Sequence, residues 1–161
     1  MLALVPMGAA EYAAFFEVAS DSYARNNVAE GRWNAPDAPA LAREETKRLL
    51  PEGEKTAENQ LFVLRDADLN AEVGYLWYGT MARGTKRVAF LFQIYVHSQF
   101  RRRGYGRQAM QAFEQEALSS GHNSLALNVS ALNTDALRLY ETVGYSASSM
   151  VMRKEPRRSD A

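Results

Sequence analysis

The chain has 161 residues, of which 47% are hydrophobic and 24% charged, with 19 basic and 19 acidic side chains and no cysteine. This composition is typical of a globular domain, and it excludes global disorder, disulfides, thiolate catalysis and cysteine-bound zinc. The formal net charge of zero argues against a nucleic-acid or membrane-surface role driven by overall charge. No apolar run reaches about 18 residues, so we expect a soluble, cytoplasmic protein without a transmembrane helix.

Hydrophobic periodicity predicts ten elements in the order β, α, α, β, β, β, α, β, α, β. The predicted ranges are a strand at 2–7, helices at 10–24 and 40–50, strands at 60–65, 72–79 and 87–97, a helix at 104–120, a strand at 124–129, a helix at 133–143 and a strand at 145–152. Short linkers join the three strands between residues 60 and 97, which favours an antiparallel meander. The predicted fold class is therefore α/β (α+β), with a mixed, mostly antiparallel sheet flanked by helices.

The chain shows no internal repeat and no convincing domain boundary, so we predict a single domain over residues 1–161. The segment 153–161 is polar and contains Pro156, and we expect this tail to fray.

The segment Arg101–Arg107 is the most informative part of the sequence, because four arginines and two glycines stand between a predicted strand and a predicted helix. Amides at a helix N-terminus bind anions, glycines let the backbone approach a phosphate, and arginines neutralise its charge. The alternative interpretation is a solvated basic turn. The segment lacks the Lys-Ser/Thr ending of a nucleoside-triphosphatase loop and the third glycine of a dinucleotide fingerprint.

Two segments in succession resemble the signatures of the GCN5-related N-acetyltransferase (GNAT) family. The first is Ile94–Gly106, in which Arg-x-x-Gly-x-Gly follows a strand ending in Val96. The second is Asn133–Tyr145, which resembles Asn-x-x-Ala-x-x-Leu-Tyr-x-x-x-Gly-Phe/Tyr. Their order and separation are those of the family, and the predicted element order matches the family fold over nearly the whole chain.

This resemblance implies an acetyl-CoA site in which the fourth and fifth strands splay apart. The backbone of the fourth strand would bind the pantetheine arm like an added strand, and the amides of residues 102–107 would hold the pyrophosphate. The residues that the resemblance assigns to acetyl-CoA are Ile94, Tyr95, Val96, Arg101, Arg102, Arg103, Gly104, Tyr105, Gly106, Arg107 and Asn133.

The same resemblance implies that Tyr140 is the general acid that protonates the departing thiolate of CoA. The alternative is a core aromatic, because Tyr140 shares an apolar helix face with Ala136, Leu137 and Val143. Asn133 likewise has an alternative role as a helix N-cap, and the two roles are compatible.

A general base is less evident. Some family members carry a glutamate five residues before the motif asparagine, where this chain has Asn128, and others carry one on the third meander strand, where it has Gln93. The amine could then lose its proton through ordered water, with Glu30, Glu72 and His97 as weak candidates to assist.

The acceptor would bind between the N-terminal region, residues 1–59, and the core of residues 60–152. We expect Tyr23, Glu30, Trp33 and Trp77, together with Tyr75 and Tyr78, to line this site, with Glu30 pairing an ammonium; the alternative for these aromatics is core packing. The resemblance implies a small-molecule or protein amine as acceptor and a homodimer as an option. It implies no metal.

Two other functions compete with acetyl transfer to a primary amine. A non-catalytic module that binds or senses acyl-CoA would explain the missing base carboxylate. Nucleic-acid binding through Arg101–Arg107 is opposed by the zero net charge and by the lack of a second basic helix face.

Overall fold

The computed structural model describes residues 1–157. It contains five β-strands, four α-helices and two short 3-10 turns. In chain order the strands and helices are β1 (Leu2–Pro6), α1 (Ala9–Ala29), α2 (Ala38–Leu49), β2 (Asn59–Asp66), β3 (Ala71–Arg83), β4 (Lys86–Val96), α3 (Tyr105–Ser119), β5 (Ser124–Leu127) and α4 (Thr134–Thr142).

The strands form one sheet in the order β1-β2-β3-β4-β5. The first four are antiparallel neighbours, which confirms the predicted meander. β5 pairs with β4 in parallel, because α3 carries the chain back along the sheet between them. The predicted mixed, mostly antiparallel sheet flanked by helices is therefore confirmed.

The two faces of the sheet bury separate apolar clusters, as the alternation of side chains along β3 illustrates. Leu76 and Tyr78 point into a core shared with α3, whose Phe113 is fully buried, and α4 packs against the same core. Tyr75 and Trp77 point to the opposite face and pack with Phe15 of α1. Period-two alternation along β3 thus separates an α3–α4 side of the sheet from an α1–α2 side.

The first helix is longer than the sequence pattern predicts, because it continues to Ala29 rather than ending near Ala24. The polar residues that follow Ala24 interrupt the apolar pattern but not the helix. Asn27 is buried, and its side-chain amide donates to the carbonyl of Tyr23 at 2.9 Å, one turn earlier. The chain leaves the helical path at Gly31, which has a φ of 71°.

The predicted last strand, 145–152, is wrong. The segment has no regular structure and pairs with no strand among residues 1–157. Its first half after Tyr145 is three serines and one alanine, which offer little apolar area to bury. Met150, Val151 and Met152 are 76%, 79% and 87% exposed. Of the predicted tail at 153–161, residues 158–161 lie outside the described residues.

None of the helices in the described part of the chain has the length and apolarity to cross a membrane. Within residues 1–157, no three His, Asp or Glu side chains converge in a way that could hold a metal ion.

Candidate functional site

The fourth and fifth strands separate halfway along β4. Their pairing runs from Val88 opposite Ser124 to Leu91 opposite Leu127, and β5 ends there while β4 continues to Val96. No strand within residues 1–157 covers this edge of β4 beyond Leu91. The predicted splay is therefore present, and we call the uncovered segment Phe92–Val96 the open edge.

The hydrogen-bond pattern between β3 and β4 decides which backbone groups the open edge offers. The amide of His97 donates to the carbonyl of Val73 at 2.9 Å, so this pair exchanges hydrogen bonds. Because such pairs alternate along an antiparallel ladder, Tyr95 also directs its backbone to β3. The N–H and C=O groups of Ile94 and Val96 therefore face the open edge, whereas those of Tyr95 do not.

A β-bulge in β4 starts the open edge. Trp77 lies opposite Gln93 and Tyr78 lies opposite Leu91, which leaves Phe92 as an extra residue. Bulges bend a strand and increase its twist, so β4 turns away from β5 directly after their last pair. A sign of the bulge was present in the sequence, since Leu91 and Ile94 are three residues apart and both face the α3–α4 core.

The turn after β4 and the first turn of α3 present six successive amides without acceptors among residues 1–157. Arg102 and Gly104 have φ angles of 62° and 82°, and Arg103 between them has a negative φ. Such alternation directs successive N–H groups into one concavity, which binds anions. No amide from 102 to 107 donates to an acceptor in residues 1–157, and the first bond of α3 runs from the amide of Gln108 to the carbonyl of Gly104.

The four arginines of this turn are not equivalent. The Nε of Arg101 donates to the carbonyl of Val96 at 2.9 Å, and its guanidinium lies 5.4 Å from the ring centre of Tyr95. The guanidinium of Arg103 lies 5.9 Å from the ring centre of Phe100. All four side chains are exposed, but Arg102 and Arg107 have no hydrogen bond, ion pair or ring contact within residues 1–157. Arg101 thus occupies one acceptor of the open edge, and Arg102 and Arg107 are the better placed to neutralise an anion.

The first turn of α3 lies close to α4. A Cβ atom on Gly106 would lie 3.1 Å from Cδ2 of Leu139, so the absence of a side chain allows the two helices to approach. The Tyr105 side chain is buried on the other side of the turn, where its hydroxyl donates to Asp66. Tyr105 therefore contributes only its backbone N–H to the run of amides 102–107, which we call the amide cradle.

The two motif residues on α4 have defined environments. The Asn133 side chain accepts a hydrogen bond from the amide of Ala136 at 3.1 Å, so the predicted N-cap is confirmed. Tyr140 is partly buried against the α3–α4 core, and its ring centre lies 6.1 Å from that of Tyr145. Burial raises the pKa of Tyr140 above its usual value, so the phenol stays protonated at neutral pH.

The predicted acceptor residues divide into two groups. Tyr23 and Trp33 meet edge to face at 5.3 Å at the end of α1, where the Glu30 carboxylate pairs with Arg32 at 2.7 Å. Trp77 is only 4% exposed, donates to the side chain of Asn59 and stacks on Phe92 at 4.5 Å. Tyr75 and Tyr78 are also buried in the two cores.

The structure brings two of the weak base candidates together. Nε2 of His97 lies 3.0 Å from a carboxylate oxygen of Glu72, and the ring of Tyr75 packs against the imidazole. Along β4, however, His97 is five residues past the bulge at Phe92, which is roughly 16 Å in an extended strand. This pair therefore lies at the end of the open edge that is next to the arginine turn.

Comparison with known proteins agrees with this geometry. A model of the acetyltransferase (GNAT) family matches residues 22–145. The uncharacterised N-acetyltransferase YycN of Bacillus subtilis (strain 168) is 32% identical over 154 residues, which cover 94% of this chain and 97% of YycN. The crystal structure of YycN superposes with a TM-score of 0.92 at 30% identity, covering 98% of this chain and 100% of YycN.

Two further proteins extend the comparison. The uncharacterised N-acetyltransferase YdgE of the same Bacillus subtilis strain is 27% identical over 145 residues, covering 90% of this chain and 92% of YdgE. AAC(6')-Iy, solved with the bisubstrate analogue CoA-S-monomethyl-acetylneamine, shares the fold with a TM-score of 0.61 at 18% identity, covering 98% and 99% of the two chains. The family match and the YycN identity together show that this chain belongs to the GNAT family and is an N-acetyltransferase.

Proposed function

We propose that this chain moves an acetyl group from acetyl-CoA to a primary amine by direct attack, with both substrates bound at once. The observation that carries the proposal is the run of six amides, 102–107, that have no acceptor in the described part of the chain and lie at the end of an open strand edge. The amides suit a pyrophosphate, and the edge suits the amide groups of a pantetheine arm.

The positions of the amide run and the open edge support one direction for the cofactor. With its pyrophosphate on residues 102–107, the arm would run back along the open edge, meeting the backbone groups of Val96 and then Ile94. The thioester is at the far end of the arm, so it would lie towards the fork where β4 and β5 separate. Arg101 would release the carbonyl of Val96 or share it with the arm, and Asn133 would contact the cofactor from α4.

The chemistry at the fork requires two proton movements. The neutral amine attacks the thioester carbonyl, and the carbon–sulfur bond of the tetrahedral intermediate then breaks. The sulfur leaves as a thiolate that takes a proton from the Tyr140 hydroxyl, while the amine nitrogen gives its proton to water, which then reprotonates the Tyr140 phenolate. The products are the N-acetyl amine and free CoA. Juxtaposition of the reactants and polarisation of the carbonyl by strand amides supply much of the rate.

A water-mediated path for the amine proton fits the side chains near the fork. Gln93 and Asn128 stand where some relatives carry a carboxylate, and neither amide can act as a base. The Glu72–His97 pair is distant from the fork, at the opposite end of the open edge. We therefore assign the base role to ordered water and expect the amine to react in its neutral form.

The acceptor would enter from the α1 side, where Tyr23 and Trp33 meet edge to face and Glu30 is the C-cap residue of the helix. An aromatic pair and a carboxylate at the same end of a helix suit a cationic or apolar amine. In the free protein Glu30 is paired with Arg32, so an incoming ammonium would compete for that carboxylate. Trp77, which is buried, would not contact the acceptor directly and would instead stabilise the position of Phe92 at the bulge by stacking on its ring.

Substituting glutamine for Glu30 should raise KM for the amine roughly fivefold, because a partly exposed carboxylate loses its charge-assisted contact with the ammonium. KM for acetyl-CoA should stay unchanged. The matched control is Glu17→Gln, which breaks a comparable ion pair, with Arg43, elsewhere on α1. Steady-state kinetics with each substrate varied in turn separate the two constants, and an equal rise in both would refute this role.

One assay distinguishes catalysis from its alternative, a module that binds acyl-CoA without turnover. Acetyl-CoA is incubated with the protein and a panel of amines, and the release of free thiol is measured. Thiol release that depends on both the amine and the protein supports the enzyme. Calorimetric binding of CoA with no amine-dependent release favours the sensing module, and no binding at all overturns both.

Two statements about partners are also proposals. We expect no nucleic-acid binding through the arginine turn, because the formal net charge of the chain is zero. A salt-dependent affinity for DNA would contradict this expectation. The homodimer that the family resemblance allows is tested by sedimentation velocity of the full chain over a range of concentrations.

A further inference from the structure

We propose that Asp66 and Tyr105 form a positioning pair that holds the amide cradle of residues 102–107 in the conformation that binds the pyrophosphate of CoA. This inference rests on the proposed function, and it assigns a role to two residues that do not touch the reacting atoms. The pair lies on the side of α3 that faces β2, behind the cradle.

The hydrogen bond between the two residues is short and largely shielded from water. Tyr105 is the first residue of α3, and its side chain is 7% exposed. Its hydroxyl donates to Oδ2 of Asp66, the last residue of β2, at 2.6 Å. The ring of Phe100 packs edge to face against Tyr105 at 6.1 Å and limits its movement. An O–H donor to a carboxylate at this distance is among the stronger hydrogen bonds in proteins.

The Asp66 carboxylate is itself fixed in place. Its other oxygen, Oδ1, accepts hydrogen bonds from the amides of Asp68 at 2.8 Å and Leu69 at 3.1 Å. The amino terminus of Met1 lies 3.8 Å from the same oxygen. The Tyr105 hydroxyl and these amides hold the pKa of Asp66 below its usual value, so the carboxylate stays ionised at neutral pH. Both oxygens are therefore engaged, and the acceptor for Tyr105 cannot rotate away.

The amide cradle depends on this hydrogen bond because few other interactions hold its backbone in place. Gly104 stands at the N-cap of α3 without a side-chain cap, and Arg102 and Gly104 both adopt positive φ angles. A left-handed conformation at a non-glycine residue such as Arg102 persists when the surrounding structure holds it. The Tyr105–Asp66 bond ties the residue next to Gly104 to the sheet. It thus fixes the amides before the ligand arrives, which saves ordering cost on binding.

The inference predicts that deleting this hydrogen bond weakens the binding of acetyl-CoA, which carries a pyrophosphate. It should not affect an acetyl thioester that lacks the pyrophosphate. Tyr105→Phe keeps the ring and removes only the hydroxyl. We expect the Kd for CoA and the KM for acetyl-CoA to rise roughly tenfold, with kcat little changed. Asp66→Asn keeps one oxygen for the amides of Asp68 and Leu69 and turns its NH2 group towards the Tyr105 hydroxyl, which can accept a weaker, uncharged hydrogen bond, so it should show a smaller rise. The kcat/KM for S-acetyl-N-acetylcysteamine, which ends before the pyrophosphate, should stay within about twofold of the wild type.

The control is Asp68→Asn, which removes a neighbouring carboxylate that pairs with the amino terminus but not with Tyr105. It should leave the kinetic constants for acetyl-CoA and for S-acetyl-N-acetylcysteamine unchanged. Thermal unfolding of every variant is measured alongside. Because the two thioesters are compared on the same folded variant, the ratio of their kcat/KM values does not depend on its stability. Equal losses for acetyl-CoA and the truncated thioester would show a merely structural role, and unchanged CoA binding in Tyr105→Phe would overturn the inference. If wild-type protein gave no heat with CoA, the proposed function itself would have failed.

Discussion

Replacing Gly104 with aspartate should reduce the affinity for CoA by a factor of about 10² to 10³. The new carboxylate would stand inside the amide cradle, close to where the pyrophosphate is expected. Two like charges about 4 Å apart near a protein surface repel by roughly 4 kcal/mol, which corresponds to a factor of about 10³ in affinity. The added side chain has room, since the nearest atom to a Cβ at this position is Nε2 of Gln108 at 4.0 Å, but the φ of 82° at Gly104 strains any residue with a side chain.

Two controls separate the charge from the backbone effect. Gly104→Asn adds a side chain of the same shape without the charge, and it should cost roughly tenfold in affinity. Gly84→Asp introduces the same charge at another glycine of positive φ, in the β3–β4 turn, where a Cβ meets nothing within 4 Å. It should bind CoA like the wild type. Isothermal titration calorimetry measures the affinity of all three variants for CoA. Normal CoA binding by Gly104→Asp would show that the amides of residues 102–107 do not hold the pyrophosphate.

The sequence predicted most elements because the signals for them are local. Runs of apolar, aromatic and β-branched residues mark β2, β3 and β4, and the glycines of the turn at 101–107 mark the end of a strand and the start of α3. The core positions of α3 follow from helical spacing, so that Ala109, Phe113 and Ala117 are all fully buried. The candidate cofactor turn could therefore be located from residues within a single stretch of chain.

What the sequence did not predict depends on contacts between distant segments. The bulge at Phe92 exists only relative to the register of β3, and the direction of the Tyr105 side chain is set by Asp66, 39 residues earlier. The segment 145–152 has strand-forming residues at its ends, but a strand also needs a partner edge. The sequence does not distinguish a surface from a core position for Trp77. It is a core residue because α1 packs over that face of the sheet.

These differences refine the site along the open edge. The motif assigns Ile94, Tyr95 and Val96 together, but the ladder directs the backbone of Tyr95 to β3. The motif also assigns all four arginines, whereas Arg101 and Arg103 are already engaged with aromatic rings. Backbone amides and the two arginines without a ring contact in residues 1–157, Arg102 and Arg107, are left as the groups best placed for a pyrophosphate.

Substituting phenylalanine for Tyr140 should lower kcat by about 10²-fold and change KM for acetyl-CoA little, because a positioned general acid contributes on this order to a proton transfer. The ring would keep its packing against the α3–α4 core, so the fold should be preserved. If Tyr140 is a core aromatic alone, kcat will be equal in the two proteins at every pH.

The pH dependence gives this prediction a second readout. Burial raises the pKa of Tyr140 above its ordinary value of 10, so the acid form persists at neutral pH and is lost only as the pH rises through that higher value. The acceptor amine, with a pKa near 10 if lysine-like, must lose its proton to react. The rate of the wild type should therefore rise with pH up to about 10. Its advantage over Tyr140→Phe should stay constant over that range and shrink only at higher pH.

Tyr145→Phe is the matched control for this pair of measurements. Tyr145 packs against Tyr140, its hydroxyl is buried without a hydrogen-bond partner in the described residues, and burial raises its pKa to about 12. Removing that hydroxyl takes away an unsatisfied polar group, so stability should be equal or slightly higher and kcat unchanged. Only one of the two phenols can donate a proton to the sulfur at the fork. An equal loss of kcat in Tyr145→Phe and Tyr140→Phe would therefore show that both substitutions act through packing.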